Sequence, residues 1–287
     1  MTALQDKAIV ITGAGRGIGA ACAREAASQG AAVVVNDLDA DLAARVVHDI
    51  RAAGGRASAH GGNVADWHGA ATLIQHCVDT FGGIDGLVNN AGIFRMAHID
   101  TLDEADLRDI LQVNVLGPAF CTRHAVPFMR QRGGGAIVNV TSGAQMGIAA
   151  MSAYCASKGA VASFTYACAI DLRDSNIRVN ALSPRAATRM TETAREFERV
   201  HGRPRPPAVG APSVEGNAMV TCYLLSDAAR GMTGQVVRVD GDKLSIVTHP
   251  AVLGPVIPCQ EWTRDVVFRA FESDLLHRQQ PLGVVVR

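Results

Sequence analysis

The chain has 287 residues, 48% of them apolar and 19% charged, with 27 basic side chains against 27 acidic ones. That length permits one sizeable core, and the even charge balance excludes the electrostatic footprint of a nucleic-acid binder or of a protein held on an anionic membrane. No run reaches the roughly 18 apolar residues of a membrane span, and residues 1–6 lack the charged-then-apolar pattern of a signal peptide, so a cytoplasmic protein with small-molecule partners is expected.

In chain order, the first apolar run, "KAIVIT" at 7–12, leads straight into "TGAGRGIG" at 12–19. Gly13, Gly17 and Gly19 fall where a strand has to turn sharply into a helix. Glycine permits the turn and lets backbone amides approach a pyrophosphate, whose charge a helix N-terminus favours. The next run, "AAVVVND" at 31–37, ends in Asp37, placed to accept both hydroxyls of a ribose and to repel a 2′-phosphate. If it binds ribose there, that carboxylate is expected to select NAD over NADP. Further runs, "IDGLVNN" (84–90), "GAIVNVTS" (135–142), "IRVNALS" (177–183) and "GQVVRVD" (234–240), are separated by stretches of helical period. The repetition is βαβ. Runs this apolar suit strands covered on both faces, so the pattern predicts an α/β fold with a parallel, doubly wound sheet and helices on both faces.

Two short motifs sit on this frame. "NNAG" at 89–92 closes the run at 84–90 at the carboxyl edge, where ligands bind in open α/β sheets. "SAYCASKGA" at 152–160 puts Tyr154 and Lys158 one helical turn apart on one face, with small Cys155, Ala156 and Ser157 between them. A phenol of pKa about 10 is a poor base at neutral pH, and a neighbouring ammonium favours phenolate. The pair therefore reads as an acid–base couple in which the lysine lowers the tyrosine's pKa.

Two segments break the alternation. Residues 186–217 include the basic, proline-bearing "HGRPRPPAVGAPS" and read as a functional loop on the substrate side. The tail, 243–287, is expected to lie past the last strand as an extension of the main 1–242 domain and to carry an amphipathic helix over "EWTRDVVFRAFESDLL". Its Trp262, Val266, Ala270 and Phe271 share a face that should be buried on the same domain or on a neighbouring subunit. The seven cysteines are scattered, with no C-x-x-C pair or histidine cluster, so buried free thiols and no metal are expected.

Together, the glycine turn, Asp37, "NNAG" and the Tyr154/Lys158 pair resemble the short-chain dehydrogenase/reductase family from about Lys7 to Asp240. The resemblance implies a Rossmann fold, a nicotinamide cofactor, and a catalytic group of Asn114 in "LQVNVLG", Ser142 in "IVNVTS", Tyr154 and Lys158. In this reading Ser142 donates to the substrate oxygen, Lys158 also binds the nicotinamide ribose, and Asn114 helps hold a proton-relaying water. Cofactor contacts are implied for Gly13, Arg16, Gly17, Ile18 and Gly19 in the turn, and for Asp37, Asn63 and Val64 towards the adenosine. Asn90, Ala91, Gly92, Tyr154, Lys158, Pro184 and Thr188 complete that set. Family members are commonly dimers or tetramers, so a homo-oligomer is expected.

The sequence departs from the family pattern at two points. Pro184 is followed by Arg185 where relatives have glycine, and its side chain has either solvent or an anionic group of cofactor or substrate as destination; the backbone there should be ordinary. Asn63 stands in place of an acid beside the adenine and can still hydrogen-bond through its amide. "SPRAATRMTE" and the tail resemble a subgroup of acyl-thioester and steroid-degrading dehydrogenases, in which Arg199, Arg203 and Arg205 could meet coenzyme A phosphates. The expected activity is NAD-dependent interconversion of a secondary alcohol and a ketone on a mostly apolar substrate, either a 3-hydroxyacyl thioester or a hydroxysteroid-like ring. The rival reading is a non-catalytic dinucleotide-binding sensor or scaffold, which would have no need of the Tyr154 proton.

Overall fold

The computed structural model describes residues 3–186, 189–201, 213–254, 256–257, 263–281 and 283–285. The first half runs β1 (Ala8–Ile11), α1 (Gly17–Ser28), β2 (Ala32–Asp37), α2 (Ala40–Ala52), β3 (Arg56–Gly61), α3 (Trp67–Phe81) and β4 (Gly86–Asn89). It continues with α4 (Glu104–Leu111), α5 (Gly117–Gln131), β5 (Gly135–Val140), α6 (Ser152–Asp171) and β6 (Ile177–Arg185). After these come α7 (Arg189–Val200), α8 (Val214–Leu225), β7 (Val236–Asp240), β8 (Lys243–Val247) and α9 (Arg264–Ser273).

The strands form one sheet in the order β3-β2-β1-β4-β5-β6-β7-β8, parallel except for the antiparallel β7–β8 pair. This is the doubly wound Rossmann arrangement. Alternation along each strand divides the core between the two faces. Ile9, Ile11, Val33 and Val35 pack with Ala23 of α1 and Cys222 of α8 on one side. Val10, Leu87, Ile137 and Val179 pack with Leu73 of α3 and Cys121 and Met129 of α5 on the other. Every residue of β1, β2 and β4 is buried, as both-face coverage requires. Strand order reverses between β1 and β4, which opens a crevice at their carboxyl ends.

The structure differs from the sequence reading in three places. β3 joins the sheet although "RASAHG" is no apolar run: it is an edge strand in which only Ala57 is buried. β8 adds five tail residues to the opposite edge, beyond the strand expected to be last. Within the expected loop, residues 189–200 form the helix α7, because "TAREFERV" carries helix-forming charged residues with Phe197 on one side; the prolines that suggested a loop lie outside the described residues.

In the tail, α9 forms where an amphipathic helix was expected, but no residue of it is buried, and Phe271 is 50% exposed. The helix packs mainly on the turn that follows it, Leu275–Arg278, and joins no core cluster. Within this chain, burial of the stripe is therefore corrected; Trp262 lies outside the described residues. Six cysteines are free thiols, four of them buried, and Cys259 lies outside the described residues. Among the described residues no cluster could hold a metal, and no helix is long and apolar enough to cross a membrane.

Candidate active site

The crevice between β1 and β4 is built from the glycine turn. Gly13 has φ +59°, and a Cβ there would come within 2.7 Å of the Ala91 Cα, so only glycine lets the turn lie against the end of β4. Asn90 ties the two together: its Nδ2 donates to the Thr12 and Gly13 carbonyls, both at 2.9 Å. A Cβ on Gly19 would strike that same amide at 2.5 Å. Thr12, absent from the expected set, is the hub; its hydroxyl accepts from the Asn90 and Ala91 amides at 3.0 Å. Its place between β1 and Gly13 was the available signal.

Helix α1 starts at Gly17 with no side-chain cap from Arg16 and no acid in its first turn, which leaves its first amides open to an anion. Asp37 ends β2 almost buried, with one carboxylate oxygen accepting from the Gly15 amide at 2.9 Å and the other from the Asp39 amide at 3.1 Å. An open amide-lined helix start next to a fixed carboxylate is the donor and acceptor set a dinucleotide needs, and these residues fit one. Ile18 is half-buried behind the turn, and Val64 is buried beyond it. Asn63 is exposed, its Oδ1 accepting from the Ala65 amide at 2.9 Å. Thr188 lies outside the described residues.

The four candidate catalytic residues meet at the carboxyl end of β4 and β5. Tyr154 and Lys158 stand one turn apart at the start of α6, and Tyr154 faces Ser142, the first residue beyond Thr141 at the end of β5, closely enough for the Ser142 side chain to favour its phenolate. Lys158 is buried, with Nζ 5.6 Å from the Tyr154 ring centre and donating to the Val140 carbonyl at 2.7 Å. Asn114 sits fully buried in a one-turn π-helical segment, 112–116, between α4 and α5. Its amide accepts from the Ile93 N–H at 2.8 Å and donates to the Ile93 carbonyl at 3.0 Å and to Ser157 Oγ at 3.1 Å. Ser157 in turn donates to the Tyr154 carbonyl at 2.8 Å, linking the π turn to the first turn of α6. Gly92 lies between the two groups; a Cβ there would be 3.3 Å from Asn114 Oδ1 and 3.7 Å from Lys158 Nζ. Phe94, which no sequence signal singled out, packs on Tyr154.

Burial shifts both titrating groups towards neutrality. Tyr154 is pushed up to about 12 by desolvation, with the Ser142 hydrogen bond opposing, and desolvation pulls Lys158 down to about 8. The expected lowering of the tyrosine by the lysine is thus reversed in this state. The ammonium is spent on the Val140 carbonyl, and in so dry a site loss of hydration outweighs attraction across the ring.

Arg185 continues β6 opposite Asp240 with ordinary backbone, and its side chain pairs with the Asp240 carboxylate at 2.8 Å. Arg199 pairs with Glu196 on the exposed face of α7, and Arg203 and Arg205 lie outside the described residues.

A doubly wound sheet with a glycine turn at its switch point and a Ser-Tyr-Lys cluster beside it defines an oxidoreductase of the nicotinamide-dependent kind. The chain belongs to the short-chain dehydrogenase family, whose model, described as short chain dehydrogenase, matches residues 7–199. It is 39% identical over 243 residues to a cis-4-hydroxycyclohexanecarboxylate dehydrogenase from Sinomonas cyclohexanicum, covering 83% of this chain and 97% of the relative. Among solved structures, a short chain dehydrogenase from Mycobacterium avium superposes with TM-score 0.84 at 34% identity, over 98% of both chains. A 7α-hydroxysteroid dehydrogenase in complex with NADH and 7-oxo glycochenodeoxycholic acid superposes with TM-score 0.77 at 32% identity, over 84% of this chain and 95% of the other. Other relatives include a cyclohexanol dehydrogenase from an Acinetobacter species, 35% identical over 82% of this chain and 94% of the relative, and a 3-oxoacyl-[acyl-carrier-protein] reductase from Thermotoga maritima, 35% identical over 83% of this chain and 98% of the relative.

Proposed function

We propose that the chain interconverts a secondary alcohol and its ketone with NAD, using Tyr154 as general acid–base. One observation carries the reading: Tyr154 stands one turn from the buried Lys158, whose Nζ lies 5.6 Å from its ring centre, and faces Ser142, at the same sheet edge as the Asp37-braced glycine turn. NAD, when bound, supplies the hydride acceptor and a cationic ring. Asp37, fixed by the Gly15 and Asp39 amides, is suited to two ribose hydroxyls and meets a 2′-phosphate with like charge.

In the reducing direction, Tyr154 is protonated at neutral pH and donates to the developing alkoxide. In the oxidising direction Tyr154 accepts the carbinol proton as phenolate, the form that the Ser142 side chain favours against burial. Ser142 holds the substrate oxygen in line with the phenol. Asn114 acts on the backbone, fixing Ile93 and, through Ser157, the first turn of α6.

The substrate is mostly apolar. The named substrates of the cyclohexanecarboxylate and hydroxysteroid relatives support a ring alcohol, with a 3-hydroxyacyl thioester as the other branch. A cytoplasmic homo-oligomer, a dimer or tetramer, belongs to the same reading, supported by exposed Leu244 and Ile246 on the edge strand β8. The test is incubation with NAD and a panel of cyclic secondary alcohols and 3-hydroxyacyl thioesters while following absorbance of the reduced cofactor. NAD binding without turnover of any panel member would favour the sensor reading instead.

A further inference from the structure

We propose that Arg185, Asp240 and Arg238 form a chain of charge pairs that positions the Ser142–Gly143 turn, making Arg185 a positioning residue for the Ser142 hydroxyl. The inference rests on the reading of Ser142 and Tyr154 given above. Arg185 and Asp240 are register partners on the parallel strands β6 and β7, and Arg238 lies two residues before Asp240, so the three side chains share one face of the sheet. The Asp240 carboxylate is shared: Oδ1 accepts from Arg185 at 2.8 Å and Oδ2 from Arg238 at 2.6 Å. Burial works to raise Asp240, yet the hydrogen bonds from Arg185 and Arg238 hold it below the ordinary aspartate value, so the carboxylate is ionised throughout the working pH range.

The far end of the chain touches the site. Arg238 is the most buried of the three, its side chain 16% exposed against 52% for Arg185. A Cβ on Gly143 would come within 2.5 Å of its Nη1, so the guanidinium lies directly against the residue after Ser142. Its path is open because the residue opposite it on β6 is Ser183, small and fully buried. Asp240 sets the position of that guanidinium, and Arg185 holds the second oxygen of Asp240. The family's glycine at 185 could not do so.

The test compares Arg185→Gly, which restores the family residue, with Asp240→Asn and Arg238→Met, alongside Tyr154→Phe. If the chain of pairs positions Ser142, Arg185→Gly lowers kcat by about 3- to 10-fold, an ordinary hydrogen bond's worth for a half-exposed pair, with the NAD dissociation constant and Tm near wild type. The double variant Arg185→Gly/Asp240→Asn then loses little more than either single one, and Arg185→Lys recovers part of the loss. Wild-type kcat in both Arg185→Gly and Arg238→Met overturns the proposal, and so does a loss in Arg185→Gly that appears equally in NAD affinity. Should Arg185→Gly fail to fold, Arg238→Met carries the same comparison. Undiminished turnover in Tyr154→Phe is a separate outcome, which removes the catalytic reading itself whatever Arg185 does.

Discussion

Phe94 meets Tyr154 edge to face, with ring centres 5.0 Å apart and planes at 86°, and is itself only 8% exposed. Phe94 belongs to a segment that Asn114 pins at Ile93 and that is bridged to Met151 at Ala97. Aromatic pairs of this geometry contribute about 0.5–1.5 kcal/mol. Phe94→Ala is accordingly expected to lower kcat by about 2- to 10-fold, with Phe94→Tyr close to wild type. Steady-state kinetics decide it; an unchanged kcat in Phe94→Ala would mean that the ring only fills space.

Removing the phenolic hydroxyl leaves that packing in place and deletes the proton donor. Tyr154→Phe should lose about 10²-fold or more in kcat with NAD affinity retained. Near-normal turnover by a folded variant would reject the acid–base assignment.

Lys158 makes a prediction about stability as well as rate. Its folded pKa of about 8 lies below the ordinary lysine value of 10.5, so the folded chain binds this proton less readily than the unfolded one. Stability from this group is therefore highest above pH 10.5, declines as pH falls towards 8, and is lowest and constant below that. The difference corresponds to about 3 kcal/mol at neutral pH, less whatever the Val140 carbonyl loses with its donor. Lys158→Met should thus have a higher Tm than wild type at pH 7 and a smaller advantage near pH 10, while NAD binding and turnover both fall. Thermal unfolding at the two pH values checks it; a lower Tm at pH 7 would show that the ammonium is fully compensated where it lies.

The parts that were legible in the sequence are those in which one residue type answers one physical demand. Gly13 and Asp37 announced the turn and the strand end because a positive φ and a fixed carboxylate have few other uses together. Tyr154 and Lys158 announced a shared helix face by spacing alone. β3 and β8 were hidden because edge strands have no need of apolar runs. Tyr154's upward shift was hidden for another reason: spacing says that two groups are near, and only the fold says how dry the place is. Phe94 carried no signal because its partner is distant in sequence and any apolar residue fits the pattern there.

Cofactor choice rests on Asp37. Wild type should prefer NAD over NADP clearly in kcat/KM, and Asp37→Ala should narrow that preference. Since Asp37 also anchors the Gly15 amide, the variant should bind even NAD less tightly than wild type does. Comparable kcat/KM for the two cofactors in wild type would show that the carboxylate does not face the 2′ position.

The tail gives the last prediction. After β8 and the packing of His249 on Tyr166, it runs through the exposed helix α9 and returns, so that the Gly283 amide donates to the Met146 carbonyl at 3.1 Å. Met146 ends the short helical turn that begins at Gly143, next to Ser142. Gly283 therefore rests beside the turn that follows Ser142, far along the chain from the glycine turn and Asp37. A cut after Asp242 would strip β8 from β7 and confound the result, so the informative truncation follows Pro250 and keeps both the edge strand and His249. That protein is expected to show a raised substrate KM or an altered mass in solution, the second because the exposed Phe268 and Phe271 stripe would be lost from a subunit contact. NAD affinity should stay within several-fold of the full chain. Unchanged substrate kinetics together with unchanged mass would make the Gly283–Met146 contact incidental and the tail dispensable to the reaction.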